Sequence, residues 1–291
     1  MKIETLVNLV GGELLNSPYI SEVTSYTKNV DEVVRGSCFF VENESDIPKA
    51  VKNGAYAIVS EKYENIIDNE IAWIKVESIQ KAITDIFKYE NLQTTIYFCD
   101  EITEHIVSKM NLDNNLIILK SYDDLLYSLN FSKILLTSKQ IFKELFSNIK
   151  DIKQKDIPLK QDGLFYCIYN NQKIFLPYVY KSEFSKALNF FEENSLKYTL
   201  EFELDRFKPV FVNYKLQEVN FGESERVLIK GIKNDTFFFK ELNYFIQNTK
   251  HAKSVVVNEN IKELLNVPFN FAMLVDFDIK ITKSENQGSL F

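Results

Sequence analysis

Short apolar runs alternate with helical stretches between Thr94 and Ile149, and this alternation restricts the fold more than any other feature of the chain. Strand-length runs are expected at Thr94–Cys99, Leu116–Leu119 and Ile134–Thr137. Helices are expected at Asp100–Met110, Tyr122–Leu129 and Gln140–Ile149. Strands and helices that take turns with short connections form βαβ units, in which the strands are parallel. The middle of the chain is therefore predicted to be a parallel-sheet α/β region.

The first ninety residues form a compositional unit of their own. They hold 9 basic and 15 acidic residues, whereas the rest of the chain holds 25 and 26. Apolar residues recur at helical spacing from Ile3 to Val10, and Gly11-Gly12 follow as a typical helix end. Strands are expected at Tyr19–Val23, Ser37–Glu42, Tyr56–Ser60 and Ala72–Val76, with a helix that Asp46 would cap and Gly54 would close. This pattern predicts a small α/β domain.

A polar segment, Lys150–Gln161, is the expected linker to the last part of the chain. Beyond it, Asn170-Asn171 lie between two strand-like runs, which indicates a hairpin because asparagine tolerates positive φ. A helix is expected at Ser182–Asn194, and alternating apolar and polar residues predict a strand at Tyr198–Leu204. The expected domains are residues 1–90, 91–157 and 158–280, the last a mixed α+β region, with a flexible tail at 281–291.

Four short motifs follow one another within the first ninety residues. They are Leu9–Leu14 (LVGGEL), Gly36–Val41 (GSCFFV), Ala50–Val59 (AVKNGAYAIV) and Trp73–Val76 (WIKV). In this order they resemble the N-terminal, nucleotide-sugar-binding domain of the Mur ligases, in particular those that add the third residue or the D-Ala-D-Ala dipeptide to UDP-N-acetylmuramoyl peptides. The resemblance implies a small Mur-ligase-like N-terminal α/β domain at residues 1–90.

The segment Ser25–Asn29 lies where the family has a D-S/T-R motif that helps to hold the uridine diphosphate sugar. The resemblance therefore implies that Ser25, Tyr26 and Thr27 line a substrate site. The arginine and the acid of the motif are absent, and the loop Glu42–Ser45 lacks the family's Gly, Asp and His. Because charge-assisted contacts to a diphosphate are missing, binding of a UDP-muramoyl peptide is expected to be weak.

A Mur ligase also needs a G-x-x-G-K-T/S loop that cradles the phosphates of ATP. The equivalent place in this chain is Asp100–His105, which contains three carboxylates but no glycine or lysine. None of the eight glycines lies in a G-x-x-G-K pattern. The sequence therefore predicts no cofactor, no ATP-dependent ligation by the family mechanism, and a protein that acts by binding.

Composition and cysteine spacing exclude several other classes of protein. A net charge of −7 argues against broad surfaces for nucleic acid or an anionic membrane, and no apolar run reaches the length of a transmembrane helix. Cys38, Cys99 and Cys167 have no CxxC spacing, as expected of a reduced cytoplasmic protein. Glu101 and His105 share a helix face, but no third ligand accompanies them, so no metal site is predicted.

The last five residues form a different motif. Gln287-Gly288-Ser289-Leu290-Phe291 resemble the Q-x-S/D-L-F peptides by which bacterial proteins bind the DNA sliding clamp. Such peptides insert Leu and Phe into a hydrophobic pocket while Gln makes polar contacts. Gln287, Leu290 and Phe291 are therefore the expected partner-binding residues, with packing of Leu290 and Phe291 onto the protein itself as the alternative.

Two functions remain open at this point. One is a cytoplasmic, non-ligating relative of the Mur ligases that binds a peptidoglycan precursor, such as a UDP-muramoyl peptide, or a cell-wall enzyme. The alternative is an adaptor that docks on the sliding clamp through its C-terminal peptide. Neither function involves direct contact with nucleic acid or with a membrane.

Removal of Gln287–Phe291 distinguishes the two interpretations of the tail. If Leu290 and Phe291 bind the clamp, truncation abolishes clamp binding and leaves the melting temperature unchanged. If they pack on the protein, each contributes about 1.5–3 kcal/mol, so truncation lowers the melting temperature by several degrees.

Overall fold

The computed structural model describes residues 1–92, 94–131, 133–276 and 282–283. The chain folds into two compact units: unit 1 is Met1–Asp100 with Asp113–Ile152, and unit 2 is Glu101–Leu112 with the described residues from Lys153 onward. The chain therefore passes three times from one unit to the other. The predicted partner-binding residues Gln287, Leu290 and Phe291 lie outside the described residues.

Helices and mainly parallel sheets alternate along the described chain, which confirms the predicted α/β fold class. The α-helices are α1 (Ile3–Val10), α2 (Ile47–Asn53), α3 (Ile79–Glu90), α4 (Glu101–Met110), α5 (Tyr122–Ser128), α6 (Gln140–Leu145), α7 (Lys181–Glu193) and α8 (Phe238–Asn248). The strands are β1 (Glu13–Leu14), β2 (Ser25–Thr27), β3 (Ser37–Phe40), β4 (Ala55–Ser60), β5 (Ala72–Lys75), β6 (Ile96–Phe98), β7 (Leu116–Ile118), β8 (Ile134–Thr137), β9 (Lys150–Asp151), β10 (Lys160–Asp162), β11 (Tyr166–Tyr169), β12 (Gln172–Ile174), β13 (Lys208–Phe211), β14 (Val227–Ile232), β15 (Ser254–Val257) and β16 (Phe271–Val275).

The first sheet of unit 1 has the strand order β1-β5-β4-β3-β2. Its neighbours are parallel except for β1 and β5, which are antiparallel. The helices α1 and α2 end at Gly11 and Gly54, whose φ angles of 58° and 101° lie in the left-handed region that favours glycine. Both helix ends were predicted from the sequence. Strand β2 lies at the edge of the sheet, so one side of it has no neighbouring strand.

The second sheet of unit 1 has the order β7-β8-β6-β9, and all its strands are parallel. The predicted βαβ alternation is thereby confirmed, although α6 ends at Leu145 instead of Ile149. One buried cluster includes Phe40 of β3, Ile83 of α3 and Leu135 of β8. Since this cluster contains side chains from both sheets, the two sheets of unit 1 share a core.

Unit 2 combines an antiparallel sheet, β10-β11-β12, with a mixed sheet of order β13-β14-β16-β15. The helix α4 packs against α7. The predicted hairpin is confirmed, because Asn170 and Asn171 connect β11 to β12 with φ angles of 48° and 63°. No helix among the described residues is long and apolar enough to span a membrane.

Two predicted strands are wrong, since Tyr19–Val23 and Tyr198–Leu204 form no strand. In the second segment Phe202 and Leu204 are buried whereas Glu203 is exposed. The alternation of apolar and polar residues therefore indicates which side chains point inward. It does not indicate pairing with a neighbouring strand, and none of the described strands pairs with this segment. The segment predicted to be a polar linker also differs from expectation, because β9 and the start of β10 lie at its two ends.

A buried network of charged and polar side chains lies in unit 2. Arg206 donates hydrogen bonds to Asp235 at 2.6 and 2.8 Å and to Glu241 at 2.8 Å, and the Tyr180 hydroxyl also donates to Glu241. Glu241 is fully buried. Burial raises the pKa of the Glu241 carboxyl, and hydrogen bonds from Arg206 and Tyr180 oppose that shift. The network joins α8 to the segment around Arg206.

Glu241→Ala is expected to lower the free energy of unfolding by about 3 kcal/mol or more, because it removes one carboxylate from a buried guanidinium. Denaturant unfolding followed by circular dichroism measures the change. Glu203→Ala is the matched control, since it removes a partner 3.1 Å from the half-exposed Lys208 and should cost less than about 1 kcal/mol. Similar losses in the two variants would contradict the expectation.

Candidate functional site

A cavity of about 530 Å³ lies in unit 1 at the carboxyl end of β2. Its lining comes from two parts of the chain, Tyr26–Asp46 and Asp123–Asn130. The first part follows the parallel strands β2 and β3, and the second is α5 with the two residues that follow it. Ligands commonly bind at the carboxyl ends of strands in open α/β sheets. This cavity is therefore the candidate functional site.

The residues predicted from the sequence to bind substrate all lie on β2. Tyr26 and Thr27 contribute to the lining of the cavity. Ser25 is not part of that lining, and its Oγ lies 2.9 Å from Oγ of Ser37 on β3. The structure thus places two of the three at the cavity, while their role in binding a substrate stays a prediction.

The free edge of β2 is closed by the side chain of Asn130, which follows α5 in the part of unit 1 that contains the second sheet. Asn130 Oδ1 accepts a hydrogen bond from the backbone N–H of Tyr26 at 3.0 Å, and Asn130 Nδ2 donates to the carbonyl of Tyr26 at 2.9 Å. The carboxamide therefore pairs with both backbone groups of one residue, as a neighbouring strand would. This contact fixes Asn130 at the rim of the cavity.

The side chain of Tyr26 forms a second connection within unit 1. Its hydroxyl donates to Oε1 of Glu90, the last residue of α3, at 2.7 Å, and Tyr26 is buried. Burial, together with the Glu90 carboxylate, raises the pKa of Tyr26 well above its ordinary value. The hydroxyl consequently stays protonated and serves as a donor.

Local hydrogen bonds shape the wall that follows β2. Thr27 Oγ1 donates to Glu32 at 3.3 Å and accepts from the backbone N–H of Asn29 at 3.0 Å. Asn29 Oδ1 accepts from the backbone N–H of Asp31 at 3.0 Å and caps a short 3-10 helix, Val30–Glu32. Threonine and asparagine side chains readily bond to nearby backbone in this way. The wall therefore has a defined shape before any ligand binds.

Lys28 is the one basic residue in the described lining of the cavity. Its Nζ donates to Glu42 Oε1 at 2.9 Å and to Asp123 Oδ1 at 2.8 Å, and its side chain is only 17% exposed. Burial alone would lower the pKa of Lys28, but the hydrogen bonds to Asp123 and Glu42 outweigh burial and raise it. The ammonium group is therefore charged and connects two segments of the lining.

Carboxylates dominate the remaining lining, which includes Glu32, Asp46 and Asp124. Asp124 Oδ2 accepts from the backbone N–H groups of Lys120 and Ser121 at 2.9 Å, in a capping box at the start of α5. Asp46 occupies the N-cap position of α2, as predicted, but its side chain makes no capping hydrogen bond. The carboxylate of Asp46 is thus available at the cavity wall.

The histidine that the sequence places near acids lies in unit 2. His105 Nε2 lies 3.8 Å from Asp205 Oδ2, and Lys109 Nζ lies 2.7 Å from the same oxygen. Contact with Lys109 lowers the pKa of Asp205. Among the residues that the structure describes, no group of three or more His, Cys, Asp or Glu side chains is arranged to hold a metal ion.

Apart from Tyr26 and Thr27, the residues that line the cavity around β2 were not predicted as site residues from the sequence. Lys28 belongs to the segment compared with the D-S/T-R motif, and its position directly after the predicted site residues was the available signal. Asp123 and Asn130 gave no such signal, since Asn130 is separated from Tyr26 by 104 residues. Their contribution depends on the tertiary structure.

Comparisons with known proteins show a likeness in fold. No protein-family model and no curated protein matches the sequence. Crystal structure I of MurF from Acinetobacter baumannii matches with a TM-score of 0.50 and 8% identity, over 94% of this chain and 85% of that chain. Crystal structure II of MurF from this organism matches with a TM-score of 0.48 and 9% identity, over 94% of this chain and 84% of that chain. MurF ligase from Thermotoga maritima, in complex with ADP, matches with a TM-score of 0.40 and 12% identity, over 83% of this chain and 78% of that chain.

The first of these matches confirms a Mur-ligase-like fold. It covers 94% of this chain, so the likeness extends beyond the ninety residues that hold the four sequence motifs. At 8% identity the likeness concerns the fold alone. What the cavity binds must therefore be argued from its own residues.

Asn130→Ala is expected to lower the free energy of unfolding by about 1–3 kcal/mol, because two backbone groups of Tyr26 lose their partner. Hydrogen exchange of the Tyr26 amide should become faster, which mass spectrometry or NMR detects. Asn148→Ala is the control, since Asn148 donates to the carbonyl of Thr94 at an exposed position. Unchanged exchange at Tyr26 in the Asn130 variant would contradict the assigned contact.

Proposed function

We propose that this chain is a binding protein with a Mur-ligase-like fold and without ATP-dependent ligase activity, and that its binding site is the cavity at the end of β2. The main support for this binding site is the composition of the cavity lining. Five carboxylates and a single lysine line the cavity, and that lysine is already paired with two of the carboxylates.

The charge of this lining disfavours a phosphate-bearing ligand. A nucleoside diphosphate brings negative charges that the carboxylates would repel. Lys28 is the only basic residue of the described lining, and pairing with Glu42 and Asp123 already neutralises it. Of the partners that the sequence suggests, a cell-wall enzyme is therefore better supported than a UDP-muramoyl peptide.

The connection between β6 and α4 supports the absence of ATP chemistry. It consists of two residues, Cys99 and Asp100, and Glu101 and Glu104 follow in the first turn of α4. Acidic side chains at a helix N-terminus interact favourably with the helix dipole, but they occupy the position that an anion would need. A phosphate-binding loop instead uses glycine backbone and a lysine, neither of which is present there.

Calorimetric titration of the full chain with Mg–ATP, and separately with a UDP-muramoyl tripeptide, tests the proposal. We expect no saturable binding of ATP at millimolar ligand, because the connection between β6 and α4 contains no glycine or lysine. At most weak binding of the UDP-muramoyl peptide is expected, because the lysine of the described cavity lining is already paired with two carboxylates. A MurF ligase titrated under identical conditions serves as the positive control. A micromolar dissociation constant for either ligand would contradict the proposal.

A further inference from the structure

The guanidinium of Arg226 in unit 2 is incompletely satisfied. Its Nη1 atom is buried and has no hydrogen-bond partner among the described residues. The chain has two other arginines, and both are bonded: Arg206 to two carboxylates, and Arg35 to the Tyr56 hydroxyl at 2.7 Å. Buried donors are nearly always paired, because an unpaired donor loses its hydrogen bonds to water without replacement. Arg226 therefore points to an acceptor that the described residues do not supply.

Backbone hydrogen bonds hold Arg226 in place. Its N–H donates to Ser224 Oγ at 3.1 Å, and its carbonyl accepts from the N–H of Val212 at 3.0 Å. The N–H of Val227 donates to the carbonyl of Asn270 at 2.8 Å, which keeps Arg226 beside the segment that leads into β16. A side chain whose backbone is fixed in advance loses less freedom when a ligand binds.

An aromatic ring, and not an acid, lies against the guanidinium. Its Cζ lies 4.8 Å from the centroid of the Phe269 ring, which is a distance typical of cation–π contacts. Phe269 is buried in a core cluster that includes Leu264. A guanidinium remains charged in proteins, and the ring attracts that charge without accepting the in-plane hydrogen bonds of the N–H groups. The contact therefore orients Arg226 and leaves its donors for a ligand.

The two acids that precede Arg226 along the chain do not neutralise it. Glu223 accepts hydrogen bonds from the N–H and the Nδ2 of Asn220, at 2.9 and 3.1 Å. Glu225 is exposed, and within the described part of the chain neither acid forms an ion pair with Arg226. The positive charge of Arg226 is thus available to an anion from outside the described chain.

The surroundings of Arg226 favour a carboxylate on a polypeptide. A guanidinium binds a carboxylate through two parallel hydrogen bonds. The apolar side chains of Leu265 and Val267, which precede Phe269, are 47% and 38% exposed. Arg226 lies outside the three cavities of about 530, 580 and 640 Å³, whereas small ligands usually bind in such cavities. Arginine beside aromatic and apolar side chains is typical of the centre of a protein–protein interface.

We infer that Arg226, Leu265, Val267 and Phe269 form a docking surface for a partner polypeptide, which presents a carboxylate to Arg226 and an adjacent apolar side chain to Leu265 and Val267. The charge of the unpaired guanidinium selects an acidic partner. This surface belongs to unit 2, so the inference goes beyond the proposed function of the cavity in unit 1.

NMR titration of the full chain with acetyl-Glu-Leu-amide tests the inference. Three arginines give three Nε–H signals, and Arg226→Lys identifies one of them. We expect saturable shifts of the Arg226 Nε–H and of the Val267 and Phe269 amides. The dissociation constant should be about fivefold or more lower than for acetyl-Gln-Leu-amide, because the amide peptide lacks the charge.

Two arginine variants show whether the guanidinium itself binds the peptide. Arg226→Lys should raise the dissociation constant, followed at the Val267 and Phe269 amides, by about fivefold or more, because an ammonium cannot form two parallel hydrogen bonds. Arg35→Lys is the matched control, since Arg35 is exposed in unit 1 and its replacement should leave the dissociation constant unchanged. Comparison of the two peptides on the unmodified chain does not depend on the folding of either variant.

Several results would overturn the inference. Equal binding of the two peptides, or an Arg226 signal that stays in place at tens of millimolar peptide, excludes recognition of a carboxylate. Tighter binding of inorganic phosphate than of acetyl-Glu-Leu-amide excludes a polypeptide partner. A change of the Arg226 signal on removal of residues 284–291, without peptide, assigns the acceptor to this chain itself. None of these results affects the proposed lack of ATP binding, whereas micromolar binding of Mg–ATP would contradict the proposed function alone.

Discussion

The closure of the β2 edge by one asparagine is the interaction on which unit 1 depends. An exposed strand edge presents unpaired backbone groups that invite other chains to pair with it. Asn130 satisfies both backbone groups of Tyr26, and Asn16 does the same for the N–H of Trp73 and the carbonyl of Ile71 near the sheet's other side. Because Asn130 follows α5, the edge of the first sheet is joined to the part of unit 1 that contains the second sheet. Together with the hydrogen bond from Lys28 to Asp123, this contact joins the two parts of the chain that line the cavity.

The chemistry of the cavity follows from where the acidic residues of the chain are placed. The first ninety residues carry an excess of acids, and several of them lie at the carboxyl ends of β2 and β3, where nucleotide phosphates bind in many α/β proteins. Lys28 neutralises only part of that charge. The chain thus combines a Mur-ligase-like fold with an acidic cavity, which is possible because side chains can differ on the same fold.

Local patterns predicted most of the elements and few of the site residues. The βαβ alternation, the helix end at Gly11 and the hairpin at Asn170-Asn171 were predictable because each depends on neighbouring residues. The strand expected at Tyr198–Leu204 is absent because alternation reports burial and not pairing. The contact of Asn130 with Tyr26 spans 104 residues, so no local pattern contains it. The same holds for the pairing of Lys28 with Asp123.

The electrostatic preference of the cavity can be measured without knowledge of the ligand. Two small nitroxide probes of similar size, one cationic and one anionic, enhance the relaxation of nearby amide protons in proportion to their local concentration. We expect the cationic probe to give the larger enhancement at Thr27, Asn29 and Asp124, because carboxylates outnumber lysine in the lining. Larger enhancement by the anionic probe at these amides would contradict the proposed exclusion of phosphate-bearing ligands from this cavity.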